Sequence, residues 1–115
     1  MSGGAELDLS PEDRRLVLDI LHATLPAGAK VWASGSRVTG RARRYSDLDL
    51  TIDCGRRLSF DETAVLREAF TESDLPYKAD FVDWHTIDDR FRRRIAAQRV
   101  ALTSAAERRE ALERA

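Results

Sequence analysis

Asp47 and Asp49 stand two apart in a run that alternates polar with apolar, Asp47-Leu48-Asp49-Leu50-Thr51-Ile52. On an extended strand, residues two apart point the same way, with side-chain origins about 7 Å apart. Two carboxylates so placed can converge on one divalent ion, or clamp two ions roughly 3.5–4 Å apart. Hard oxygen ligands of this kind suit Mg²⁺ held jointly with substrate phosphates, and such ions stabilise the attacking and leaving oxygens of an in-line displacement. A lone Asp-X-Asp more often solvates an exposed strand face. Strand interiors disfavour aspartate, however, and two on one face opposite Leu48, Leu50 and Ile52 call for a reason.

Gly35-Ser36 supplies the second half. A glycine at a strand end lets backbone approach a phosphate closely. A serine opening the next helical turn adds a hydroxyl beside free N–H groups and the positive end of a helix dipole. Gly-Ser alone is an ordinary strand-to-helix turn; beside a carboxylate pair it reads as a cradle for a triphosphate. Arg37 is a further candidate for phosphate contact, weighed against an ordinary surface arginine. Arg41, Arg43 and Arg44 fit a solvated loop equally well. Tyr45 fits loop packing or base stacking.

These residues need elements to hold them. Ser10-Pro11-Glu12-Asp13 is a helix start, with Ser10 as cap and Pro11 at the first helical position; Leu16, Val17, Ile20 and Leu21 follow as its buried stripe, and Pro26-Ala27-Gly28 ends it. Residues 30 to 34 form a strand candidate, 36 to 43 hold a brief helical turn, and 47 to 52 are the carboxylate strand. Ser59 with Glu62 makes a capping box for a second long helix striped by Val65, Leu66, Ala69 and Phe70, broken at Leu75-Pro76. Tyr77 to Trp84 reads as a third strand. Thr86-Ile87-Asp88-Asp89 opens another helix, whose stripe is Phe91, Ile95 and, further on, Leu102. Ser104 to Ala115 carries a capping pattern at Ser104 and Glu107 with little apolar face beyond Leu112. The order implies an α+β domain, a small mixed sheet of three or slightly more strands with helices packed on it.

The chain has 115 residues, 43% of them apolar and 34% charged, with net charge −1. That length fits one domain over 1–115, with its core at 10–102 and a helical tail at 103–115. No apolar run approaches the ~18 residues of a membrane span, and the first residues lack a secretory pattern, so the expected compartment is the cytoplasm. A lone Cys54 excludes an internal disulfide and multi-cysteine metal sites. His22 and His85 have no second histidine at metal spacing. The charge balance favours small phosphorylated ligands or a protein partner over stable nucleic-acid binding. Trp32 and Trp84 read as core or rim packing, and the arginines at 90, 92, 93 and 94 as a solvated helix face or a docking surface for an acidic partner.

Gly35-Ser36, ten residues, then Asp47-X-Asp49 resembles the signature of the polymerase-β-like nucleotidyltransferase superfamily. The fuller run Gly35-Ser36-Arg37…Gly40…Ser46-Asp47-Leu48-Asp49-Leu50 is similar to its smallest branch, the minimal nucleotidyltransferase (MNT) proteins. The resemblance implies the polymerase-β-like fold, Mg²⁺, ATP as substrate and a third carboxylate on a later strand. Asp80 and Asp83 both lie there with opposite parity, so only one can face the metal from a regular strand. The family pattern favours Asp80, as metal ligand and base toward the attacking hydroxyl, with Asp83 as a strand-end residue.

Larger members carry an added domain for the acceptor, for which this length leaves no room. A partner or a second copy would then supply acceptor recognition. MNT proteins are typically encoded beside an all-helical HEPN RNase toxin, and act as antitoxins by transferring AMP to a toxin tyrosine. The resemblance thus implies a protein adenylyltransferase with a HEPN toxin as partner. The alternatives are a small-molecule nucleotidyltransferase, like the aminoglycoside-modifying relatives, and an antitoxin that neutralises by binding alone.

Overall fold

The computed structural model describes residues 7–102. The first helix, α1 (Pro11–Thr24), starts where the sequence places it: Ser10 is extended and its hydroxyl accepts the Asp13 N–H. Strand β1 (Lys30–Ser34) runs into the four-residue turn of helix α2 (Ser36–Thr39), which ends at Gly40 in the left-handed region. Strand β2 (Leu48–Asp53) follows, then helix α3 (Phe60–Thr71) with the full Ser59–Glu62 capping box. Strand β3 (Ala79–Asp83) and helix α4 (Asp89–Ala96), capped by Asp88, come next. A last strand, β4 (Val100–Ala101), closes the described part.

Among the described residues the sheet has four strands in the order β3-β2-β1-β4. The β1–β2 and β1–β4 pairs are antiparallel, while β2 and β3 are parallel, with α3 making the crossover that parallel pairing demands. The mixed sheet agrees with the expected α+β class. The placement of Leu102 differs. Leu102 is not on the last helix: α4 stops at Ala96, and Leu102, fully buried, reaches the core from beyond β4 while its N–H bonds Val31 O. The expected tail, 103–115 with its Ser104 and Glu107 cap, lies outside the described residues, as does most of the lead-in.

Alternation sorts the sheet into two faces. Val31 and Ala33 of β1 and Leu48, Leu50 and Ile52 of β2 point to one side and join Val17 and Leu21 of α1 and Leu66 and Phe70 of α3 in the core. Burying each such leucine or isoleucine contributes about 1.5–3 kcal/mol, enough to fix the register of β2. That register sends Asp49, Thr51 and Asp53 to the opposite face. There α4 packs through Ile95, which is 5% exposed, and the Arg92 Nε–H donates to Trp84 O. One short helix covers only part of this face, which leaves a cleft.

Candidate active site

The parallel register sets Asp80 directly beside Asp49, and the antiparallel register sets Ser34 on Asp49's other side. Asp49 is therefore the centre of a row across three strands, at the end of the sheet where β1 turns into α2. Asp47 precedes β2 with the same parity and is exposed. Burial raises the Asp49 carboxyl above its usual range, and the charges of Asp80 and Asp47 push it further. The three carboxylates are thus neighbours that repel one another, an arrangement that favours an added cation. They form an open set: among the described residues no three acidic, histidine or cysteine side chains are gathered tightly enough to enclose a metal. A Mg²⁺ site completed by water and substrate phosphate asks for hard carboxylate oxygens of this type rather than a full protein cage. Asp80 Oδ1 lies 3.5 Å from Lys78 Nζ.

Gly35 earns its place by conformation and by contact. Its φ is +84°, and a Cβ there would overlap Asp49 Oδ2. Any other residue would both strain the turn and displace the central carboxylate. Its carbonyl accepts the N–H groups of Val38 and Thr39, which winds α2. Ser36 opens α2 next to it.

A cleft of about 410 Å³ lies above this row, walled by Ser34, Gly35, Asp49 and Asp80 from the sheet and by Phe91, Arg94 and Gln98 from α4 and its exit. The α4 side was not singled out by the sequence, in which Arg94 reads as part of a solvated or docking surface. The signal was present: Phe91, Arg94, Ile95 and Gln98 fall at helical spacings and share one face. Arg94 brings a cation to the same cleft as Asp49 and Asp80, where a phosphate chain would need one.

Asp83 is not brought to the cleft. It pairs in register with Ile52, on the core face, and its carboxylate accepts from Leu58 N–H at 2.7 Å and His85 N–H at 2.9 Å. Parity and hydrogen bonding together make it a clamp on two loops.

Arg37 does not line the cleft, and its burial corrects the reading of it as an ordinary surface arginine. It is 5% exposed, no surface residue. Its guanidinium donates to the carbonyls of Ser46 (2.9 Å), Asp8 (3.0 Å) and Arg44 (3.1 Å), and stacks 3.6 Å from the centre of the Tyr77 ring. Three of its five N–H donors are thus committed to backbone, and the side chain is buried.

The other residues fall elsewhere. At the far end of β2, His85 Nε2 lies 2.6 Å from Asp53 Oδ1. Burial pushes the Asp53 carboxyl up, but the Gly55 N–H, His85 and Lys30 outweigh it and hold it low. Trp32 and Trp84 meet with ring centres 5.8 Å apart, and Arg99 sits 4.0 Å above Trp32. Tyr45 is exposed, with Arg44 over its ring. Burial pushes the Cys54 thiol up, away from the thiolate form.

The chain is 46% identical over 92 residues to a protein of Haemophilus influenzae named Probable protein adenylyltransferase MntA, covering 80% of each chain. Its fold is similar to that of a solved toxin–antitoxin with AMP-PNP, with TM-score 0.66 and 20% identity, over 77% of this chain and 71% of that one. A solved MntA-HpeT toxin–antitoxin mutant gives TM-score 0.62 and 17% identity, over 77% and 70%. Residues 22–108 match the family described as Polymerase beta, Nucleotidyltransferase. Since the match spans most of the chain and includes both halves of the carboxylate row, the chain belongs to the polymerase beta nucleotidyltransferase family.

Proposed function

We propose that this nucleotidyltransferase moves AMP from ATP to a hydroxyl of a toxin that it neutralises, a HEPN-type RNase with tyrosine as the acceptor. The observation that carries the reading is the in-register Asp49–Asp80 pair beneath a glycine that only glycine can occupy, in a chain similar to a named protein adenylyltransferase.

Asp47, Asp49 and Asp80 would hold Mg²⁺, which when bound neutralises phosphate charge and polarises the phosphorus under attack. Gly35 and Ser36 receive the phosphate chain against backbone, and Arg94 meets its charge from α4. The acceptor oxygen attacks the α-phosphorus, the bond to the β-phosphate breaks, and pyrophosphate leaves. The hydroxyl proton passes to the Asp80 carboxylate. Most of the rate gain comes from alignment and fixed charge, because the chain contributes no covalent intermediate. The cleft is open to solvent on one side, so the acceptor arrives on the partner's surface.

The test is co-purification of the chain with its natural partner, followed by intact masses after addition of ATP and Mg²⁺. AMP-sized increments on the partner with the native chain, absent with Asp47→Asn/Asp49→Asn, are the expected result. A bound but unmodified partner in both samples would mean neutralisation by binding alone. ATP consumption without any protein partner would point to a small-molecule acceptor.

A further inference from the structure

Between Gly40 and Asp47 the chain has no helix or strand, yet this segment delivers Asp47 to the carboxylate row. Its internal bonds are few: Arg43 N–H donates to Ser46 Oγ at 2.8 Å, and Ser46 N–H to Arg43 O at 3.1 Å. The strongest hold comes from outside. The Arg37 guanidinium takes the carbonyls of Arg44 and Ser46 at once, and with its third nitrogen takes Asp8 O. Asp8 N–H in turn donates to Arg37 O at 2.7 Å, so the segment before α1 and the α2 turn are tied both ways. Below the guanidinium lies Tyr77, buried, its hydroxyl bonded to Asp13 Oδ2 on α1 at 3.0 Å. Tyr77 is three residues before Asp80, and the next residue's carbonyl, Lys78 O, accepts the Leu48 N–H that starts the β2–β3 ladder.

We infer that Arg37 is the positioning residue of the active site: one planar cation sets the loop that ends in Asp47 against the strand that carries Asp80, at a distance from the substrate. Only a guanidinium does this, because its fork reaches three carbonyls in one plane while its face stays free for a ring. A lysine would keep the charge and lose the fork. The inference rests on the carboxylate reading above, and goes beyond it in assigning the register between two of the carboxylates to a residue outside the cleft.

The segment contains its own reporter. Arg41, Arg43 and Arg44 are trypsin sites, and the Arg44 carbonyl that trypsin must attack is one that Arg37 holds. Limited proteolysis of the full chain therefore reads loop order without any catalytic assay. In Arg37→Lys, cleavage after Arg43 and Arg44 is expected to quicken by about tenfold, the population change that follows loss of a charge-assisted hydrogen bond. Turnover is expected to fall by about a hundredfold, as for a reacting group displaced by an ångström, while KM for ATP stays within about twofold. Mn²⁺ binding in the presence of a non-hydrolysable ATP analogue, followed by electron paramagnetic resonance, should weaken in parallel.

A thermal melt establishes that the variant is folded. Tyr77→Leu, which leaves the three carbonyl acceptors and removes the ring together with its hydrogen bond to Asp13, supplies a second case with the same direction and a smaller size. Unchanged cleavage in the folded variants would overturn the inference, and so would a raised KM with turnover intact, which is the mark of a direct phosphate contact. If the native chain transfers no nucleotide at all, the proposed function fails, while the cleavage and Mn²⁺ measurements still decide what Arg37 does.

Discussion

Gly35 and Asp49 are coupled by the absence of a single carbon. Gly35→Ala puts a methyl group where the Asp49 carboxylate lies, in a backbone conformation that L residues rarely adopt. The substitution is expected to leave a folded protein whose turnover is down by about a hundredfold or more, since the displaced group is the centre of the row. A circular-dichroism spectrum beside a single-turnover assay checks both halves. Arg94 should behave differently. It faces the cleft from α4 and is asked only to meet phosphate charge, so Arg94→Ala should raise KM for ATP by about tenfold and leave turnover nearly intact. A fall in turnover at unchanged KM would remove Arg94 from ATP binding. At this scale the sequence revealed the carboxylates through type and spacing, because a strand's period of two is a local property. It could not reveal the burial of Arg37. That depends on carbonyls contributed from residues 8, 44 and 46 and on a ring from residue 77, which only the tertiary fold brings together.

The elements divide along similar lines. The starts of helices α1 and α3 were legible because Ser10, Ser59 and Glu62 satisfy orphan backbone groups within a few residues of themselves, and Pro11 has no N–H to satisfy. Strand β4 was not, since two residues owe their conformation wholly to pairing with Trp32 and Ala33 of β1. Its value lies in Leu102, which it delivers fully buried to the core. Leu102→Ala should cost about 2–5 kcal/mol of stability, read as a lowered urea midpoint at unchanged slope. The start of α3 offers a pH test. Glu62 accepts Ser59 N–H and pairs with Arg56. Arg56 above all, with the Ser59 N–H, holds its carboxyl at about 2, below the ordinary 4.5. A depressed carboxylate stabilises the fold above its unfolded value and loses that effect as pH falls toward its folded one. The stability gap between the native chain and Glu62→Gln should therefore be full at pH above ~5 and close as pH drops from about 4.5 toward 2. Because the pair is exposed, added salt should narrow it too. A gap that ignores both pH and salt would assign the effect to the capping hydrogen bonds alone.

As a whole, the molecule is a sheet with one face filled and the other only partly covered. Helices α1 and α3 close the first face over the apolar core, while short α4 leaves Asp49, Asp80 and Gly35 accessible beside it. No helix among the described residues is long and apolar enough to cross a membrane. The open cleft makes the identity of the acceptor a property of what docks beside it, which is why the sequence could reach the reaction type and not the acceptor. The same openness makes the bond that breaks the central question, since a carboxylate–metal site could move either end of a triphosphate. The most direct measurement supplies ATP labelled at the α-phosphate in one sample and at the γ-phosphate in another, with the co-purified partner as acceptor. The account predicts label on the partner from the α-phosphate only, released pyrophosphate carrying the γ label, and no transfer by Asp49→Asn. Label from the γ-phosphate on the partner, or α-label transfer that survives Asp49→Asn, would contradict it.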